Sequence, residues 1–182
     1  GKSDVDVRRV AAPLLKLGAS NFNETVFLAR FRDSKIEIIH VETPEDPARA
    51  FIHPGIGERP LHACSCSKAI AAFAEEHFLD VILKGPFQAF TENTKTTRQE
   101  LLEEFKLIRR QGFADCDHEI DAAISSVSAP ITIGNIGATF SVGAVGPVRR
   151  FGTDYRQNIG RQLIQLATKI SGAIQLCNVA EV

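Results

Sequence analysis

Residues 122–148 read Ala-Ala-Ile-Ser-Ser-Val-Ser-Ala-Pro-Ile-Thr-Ile-Gly-Asn-Ile-Gly-Ala-Thr-Phe-Ser-Val-Gly-Ala-Val-Gly-Pro-Val, the longest uncharged run in the 182-residue chain. A membrane helix needs about 20 apolar residues in unbroken sequence. This run is punctuated by Pro130, Gly134, Asn135, Gly137, Gly143, Gly146 and Pro147 and carries four serines, so it reads as β-structure. Ala123–Ile133 and Ala138–Ala144 flank a turn at Gly134-Asn135, the signature of a hairpin. Alternation puts Ser126 and Ser128 on one face with Ile124, and Ser125 on the other with Val127.

Working outward, a second hairpin lies near the N-terminus. In Glu24–Arg32, Thr25, Phe27, Ala29 and Phe31 face one way and Val26, Leu28 and Arg30 the other. Asp33-Ser34 turns the chain into Lys35–Glu42, rich in Ile and Val. Ala48–His53 is expected as a third strand, Pro54–Pro60 as a Gly/Pro-rich connection, and Phe113–Asp117 as another short strand. Helical spacing marks Asp4–Leu17, closed by Gly18 to Asn23, then Ser65–Ala74, Glu75–Leu83, Arg98–Gln111 and Asp154–Cys177. Thr97-Arg98-Gln99-Glu100 is a capping box, and Gly112 is the stop. The order is α-β-β-β-α-α-α-β-β-β-α. Hairpin-linked strands make the sheet antiparallel and the class α+β, with about six strands and helices on the sheet's faces.

Composition bounds the function. Lys and Arg total 21 and Asp and Glu 22, for a net charge of −1. Residues 1–90 hold 11 basic and 12 acidic side chains, and residues 91–182 hold 10 of each. The basic footprint that neutralises nucleic-acid phosphates is missing. Four unevenly spaced cysteines do not form a disulfide framework and point to a reducing, cytoplasmic setting. A chain that starts at Gly1, lacks methionine and shows no basic-then-apolar leader is expected to be a domain of a longer protein, without a signal peptide.

The chemistry concentrates in Leu61-His62-Ala63-Cys64-Ser65-Cys66-Ser67-Lys68-Ala69. A turn of small residues opens a helix, whose free N–H groups attract an anion; the alternative is that small residues only permit tight packing. Cys64, Cys66 and Cys116 with His62 offer thiol or zinc chemistry, although the paired Cys-x-x-Cys spacing of structural zinc sites is absent. Asp115-Cys116-Asp117-His118-Glu119 places a dense polar run after a strand, either a ligand-hydroxyl site or a solvated loop end. Arg149-Arg150 read best as a charged surface loop. There is no Gly-x-Ser-x-Gly elbow, Walker loop or dinucleotide turn.

Pro60-Leu61-His62-Ala63 followed by Ser67-Lys68-Ala69-Ile70-Ala71 resembles the PLHAT-x-x-GKALLA signature of IclR-type transcription factors. Phe90-Thr91-x-Asn93-Thr94, Arg110-Gln111-Gly112-Phe113-Ala114, Asp117-x-Glu119 and Ser128-Ala129-Pro130-Ile131 follow in the family's order. Val142–Pro147 is similar to its strand ending in SGP. The resemblance implies a C-terminal effector-binding domain with a GAF/profilin-like curved sheet. Residues 1–20 would end the linker, residues 21–182 would form the sensor, and the N-terminal winged helix-turn-helix would lie outside this chain. It implies no enzyme activity and no cofactor or metal; the partners would be a small organic acid, a second copy (dimer or tetramer), DNA only through the missing domain, and no membrane.

The effector positions implied are Ser65, Cys66 and Ser67 at the helix start, Cys116 and Asp117 at the strand end, and Ser126 near Ile124. Phe51, Ile52 and Arg59 would wall the mouth. Ser67 replaces the usual glycine. Gly143 and Val145 stand where the family often has serines, and fewer hydroxyl donors suggest a different or less polar effector, such as an aromatic or keto acid. A thiol- or zinc-dependent enzyme built on Cys64, Cys66 and Cys116, or a ligand-free dimerisation domain, are the alternatives.

Overall fold

The computed structural model describes residues 4–50, 56–134 and 138–180. Helix α1 (Asp4–Phe22) leads into strands β1 (Thr25–Arg32), β2 (Lys35–Glu42) and β3 (Gly57–Arg59). Helices α2 (Ser65–Ala71), α3 (Glu76–Ile82) and α4 (Arg98–Gln111) follow, then strands β4 (Ala114–Cys116), β5 (Ile124–Thr132) and β6 (Ala138–Pro147), and helix α5 (Thr153–Ala180). The strands form one antiparallel sheet in the order β3-β2-β1-β6-β5-β4. The two hairpins meet at its centre, where β1 pairs β6 with Phe27 opposite Gly143. This is the α+β architecture expected from the alternation.

Period-two alternation divides the core into two layers. Val26 and Leu28 of β1, Val127, Ala129 and Ile131 of β5, and Val142 and Ala144 of β6 pack under α1 and α5. Phe27 and Ala29 of β1, Ile36 and Ile38 of β2 and Val145 of β6 pack under α2, α3 and α4. Ser126 and Ser128 share that second face, as the alternation requires. Helix α4 is bounded as its caps dictate: the Thr97 hydroxyl accepts from the Glu100 N–H, and Gly112 takes φ 89°.

Two boundaries differ from expectation. Helix α1 does not stop at Gly18 but runs on to Phe22, with Asn23 at φ 55° ending it. Gly18 faces α5, and a Cβ there would sit 2.9 Å from Leu166 Cδ2, so its glycine serves close helix packing rather than termination. Ala48–Ala50 is a turn, not the start of a strand. The Asp46 carboxylate accepts from the Ala48 N–H, and the Arg49 guanidinium is drawn to Glu24, 2.8 Å away. Residues 51–53 lie outside the described residues, and the third strand is Gly57–Arg59, inside the stretch expected as a connection. Arg150 also departs from the free surface role: its Nε is 2.6 Å from Oε1 of Glu24, a carboxylate buried completely at the start of β1. Among the described residues no helix is long and apolar enough to cross a membrane.

Candidate functional site

A cavity of about 200 Å³ opens on the α2 face of the sheet. Its floor and walls are the apolar side chains of Phe27, Ile38, Ile120, Ile124 and Val145. Arg59, Cys64, Cys116, Asp121 and Ser126 supply its polar atoms. Each arrives by simple geometry. Phe27 and Val145 point to this face by strand alternation. Arg59 comes from the edge strand β3, opposite Ile36. Ser126 is paired with Cys116 across β4 and β5.

The turn into α2 is pinned to the sheet by hydroxyls and a thiol. The Ser65 hydroxyl lies 2.7 Å from that of Ser126 and 2.8 Å from that of Ser128. Cys116 Sγ donates to the Ala63 carbonyl at 2.8 Å, and Ser141 Oγ donates to the Cys66 carbonyl at 3.0 Å. Ser67 Oγ donates to the Leu61 carbonyl at 2.6 Å, so its hydroxyl stabilises the turn instead of facing the cavity. Among the described residues no carbonyl accepts from the N–H groups of Ser65, Cys66 or Ser67.

Charge is arranged around this turn in two ways. Lys68 is fully buried, with its ammonium 3.0 Å from Glu104 of α4 and 2.6 Å from Glu119 of the loop after β4. Burial alone would lower the Lys68 pKa, but the two carboxylates raise it well above the ordinary value. Burial pushes the Glu119 carboxyl up, against the pull of Lys68. Arg59 differs: among the described residues its guanidinium has no hydrogen bond or ion pair, and it borders the cavity.

The cysteines are not alike either. The neighbouring Cys66 thiol lowers the Cys64 pKa against the effect of burial; the N–H groups of Cys66 and Ser67 and the charge of Arg59 act in the same direction. Burial, then the neighbouring Cys64, puts Cys66 well above the thiol range. Burial and the nearby Glu119 charge raise Cys116 as well. All three are free thiols, and among the described residues no group of three His, Cys, Asp or Glu side chains is arranged to hold a metal ion.

The structure thus brings Arg59, Cys116, Ile124, Ser126 and Val145 together around one cavity. Ser65 touches it only through Ser126, and Cys66 is buried behind Cys64. Gly143 lies beneath the floor: a Cβ there would be 2.5 Å from Phe27 Cζ. Asp117 turns to the opposite side of the sheet, where its Oδ1 meets His118 at 2.9 Å and Arg156 at 3.4 Å. Burial raises its carboxyl, but His118, Arg156 and Ser125 together hold it below the usual range. Phe51 and Ile52 lie outside the described residues. Sequence reasoning missed Phe27, Ile38, Ile120 and Asp121. Phe27 was within reach, since the alternation of β1 already set it on one face; Ile120, an apolar residue within a polar run, was the other visible signal.

Residues 2–172 match the family model described as bacterial transcriptional regulator IclR C-terminal. The regulator KdgR of Dickeya chrysanthemi is 25% identical over 172 residues, covering 92% of this chain and 55% of its own length. Such curated relatives are about twice as long as the stretch they share with this chain. The crystal structure of Thermotoga maritima IclR superposes with a TM-score of 0.83 at 26% identity, over 91% of this chain and 67% of its own. An IclR homolog from Microbacterium hydrocarbonoxydans, complexed with 4-hydroxybenzoate, gives a TM-score of 0.79 at 19% identity, over 95% of this chain and 71% of its own. The fold, the ordered motifs and the family match agree: the chain belongs to the IclR family of bacterial transcriptional regulators and corresponds to their C-terminal effector-binding domain.

Proposed function

We propose that the cavity binds a small organic acid and that its occupancy controls operator binding by a winged-helix domain outside this chain. The observation that carries this reading is the guanidinium of Arg59, without an ion pair among the described residues, at the edge of an otherwise mainly apolar cavity. A carboxylate meeting Arg59 gains a charge-assisted, planar pairing that a neutral group does not. Phe27, Ile38, Ile124 and Val145 suit an apolar or aromatic body, and Ser126 and Cys116 suit one polar substituent. The Microbacterium homolog, complexed with an aromatic acid, supports the same class. Ligand binding that favours one arrangement of the regulator shifts its equilibrium, with no chemistry required. Assembly as a homodimer or homotetramer in the cytoplasm completes the reading.

Isothermal titration with a panel of aromatic and keto acids tests it. One acid should bind, its amide should bind at least about tenfold more weakly, and Arg59→Gln should remove that difference. Silence from every carboxylate overturns the assignment.

A further inference from the structure

Charge of both signs reaches the cavity, from opposite edges of the sheet. In sheet order the lining runs from Arg59 of β3 through Ile38 of β2, Phe27 of β1, Val145 of β6 and Ile124 of β5, and it ends at Asp121 on the loop from β4 to β5. A cation and an anion thus stand at the two ends with apolar side chains between them. Among the described residues neither has an ion-pair partner, and they do not pair with each other. Asp121 is exposed at the rim, yet its loop is fastened. Its backbone carbonyl accepts from the Ile124 N–H at 3.2 Å, and the Ala123 carbonyl accepts from the Val148 N–H at 2.8 Å. In the same loop Glu119 is held 2.6 Å from the buried Lys68 ammonium. The turn uses only one carboxylate oxygen of Asp121: Oδ1 accepts from the Ala123 N–H at 2.8 Å, and Oδ2 has no donor among the described residues. A simple acid bound at Arg59 leaves this second charge unused.

We propose that the cavity selects dipolar acids, with a carboxylate at one end, a protonated amine at the other and an apolar body between: the ω-amino acid class. Arg59 takes the carboxylate in a charge-assisted pairing, and Asp121 Oδ2 accepts from the ammonium. Ile38, Phe27, Val145 and Ile124 cover the body. An α-amino acid fits this order poorly. Its two charges sit on neighbouring atoms, whereas Arg59 and Asp121 come from opposite edges of the sheet, so one of them stays unanswered. Discrimination works by mismatch as well as by match. A nitrogen-free acid gives Asp121 nothing, and a dicarboxylate sets like charges face to face. The cavity, about 200 Å³, is smaller than ordinary ligand pockets of about 300–1,000 Å³, so the dipolar ligand is a short one. This inference rests on the organic-acid reading above and narrows its ligand class.

The test is isothermal titration of the intact chain at low salt with two matched pairs: 4-(aminomethyl)benzoic acid against 4-methylbenzoic acid, and 6-aminohexanoic acid against hexanoic acid. In at least one pair the amino acid should bind about threefold or more tightly than its nitrogen-free partner, the scale of one charge pair at a solvent-accessible rim. That margin should shrink as salt is raised. Asp121→Asn keeps an oxygen for the Ala123 N–H, so the turn survives. It should weaken the amino acid while leaving its partner unchanged or tighter, an opposition that a merely structural role does not produce. Arg59→Gln should weaken both members of the pair. If the nitrogen-free acids bind as tightly as their amino partners in both pairs, or if Asp121→Asn moves both members alike, dipolar selection is overturned and the organic-acid reading stands. If none of the four compounds binds, the proposal falls as well, and the wider panel of aromatic and keto acids decides the reading beneath it.

Discussion

The two faces of the sheet solve different problems. Under α1 and α5 the sheet offers Val26, Leu28, Val127, Ile131 and Val142, and the helices answer with Val7, Leu15, Ile159, Leu163 and Ile170. Away from the Asp115, Asp117 and Arg156 cluster at one end, these contacts are apolar. Under α2, α3 and α4 the apolar set is interrupted by Ser126, Ser128 and Ser141, by three thiols, and by the Lys68–Glu104–Glu119 cluster. Apolar packing is non-directional and closes up; hydroxyls and ions impose fixed distances and leave space between them. The face built with more polar atoms is the one that holds the candidate site. Rigidity on one side and a shaped hollow on the other suit a domain that must stay folded with or without a ligand.

The contrast can be broken on the polar face first. Lys68→Met removes the cation from between two largely buried carboxylates, and the loss should be about 3–5 kcal/mol, read as a shift in urea midpoint. Adding Glu104→Gln and Glu119→Gln should recover part of it, since the uncompensated charge is gone. The sign of the pH effect follows from the raised Lys68 pKa. The contribution from that ammonium is fully present below the ordinary lysine value of 10.5 and is lost as pH rises beyond it, so the gap between wild type and Lys68→Met should narrow in strong alkali.

The apolar face should respond without regard to pH. Leu163→Ala, fully buried in the α1/α5 layer, should cost about 2–5 kcal/mol through lost transfer energy and a residual void. Circular dichroism in urea at neutral and alkaline pH should give the same difference for this variant, unlike Lys68→Met. A smaller effect sharpens the comparison. Ser65→Ala leaves the Ser126 and Ser128 hydroxyls to pair with each other or with water, and about 1–2 kcal/mol should be lost. Because Ser126 faces the cavity, that variant should also alter ligand affinity, which Leu163→Ala should leave nearly unchanged.

How much of this was legible depends on which force decides each element. The hairpins were readable because alternation of period two is set by the pleat and survives any tertiary context, and the α4 caps were readable because Thr97 and Gly112 act locally. Gly18 misled because its role is set by Leu166, a residue far along the chain. Asp117 shows the limit for the site. The motif that contains it was visible, but its direction is decided by Arg156 of α5 and by the positive φ of His118, neither of which a linear reading supplies. Asp121 instead lines the cavity, because the loop after β4 is fastened through Glu119 to Lys68.

The opposition of Phe27 and Gly143 at the centre of the sheet carries a consequence for how such a domain changes its ligand. With no side chain beneath it, the phenyl ring settles low against the backbone and becomes the floor tile of the chamber. Depth is therefore adjustable at one codon: a single-base change from Phe27 to leucine lowers the floor while every strand pairing stays as it is. Selection can retune what such a receptor accepts by trading one ring, leaving the frame that reports occupancy untouched.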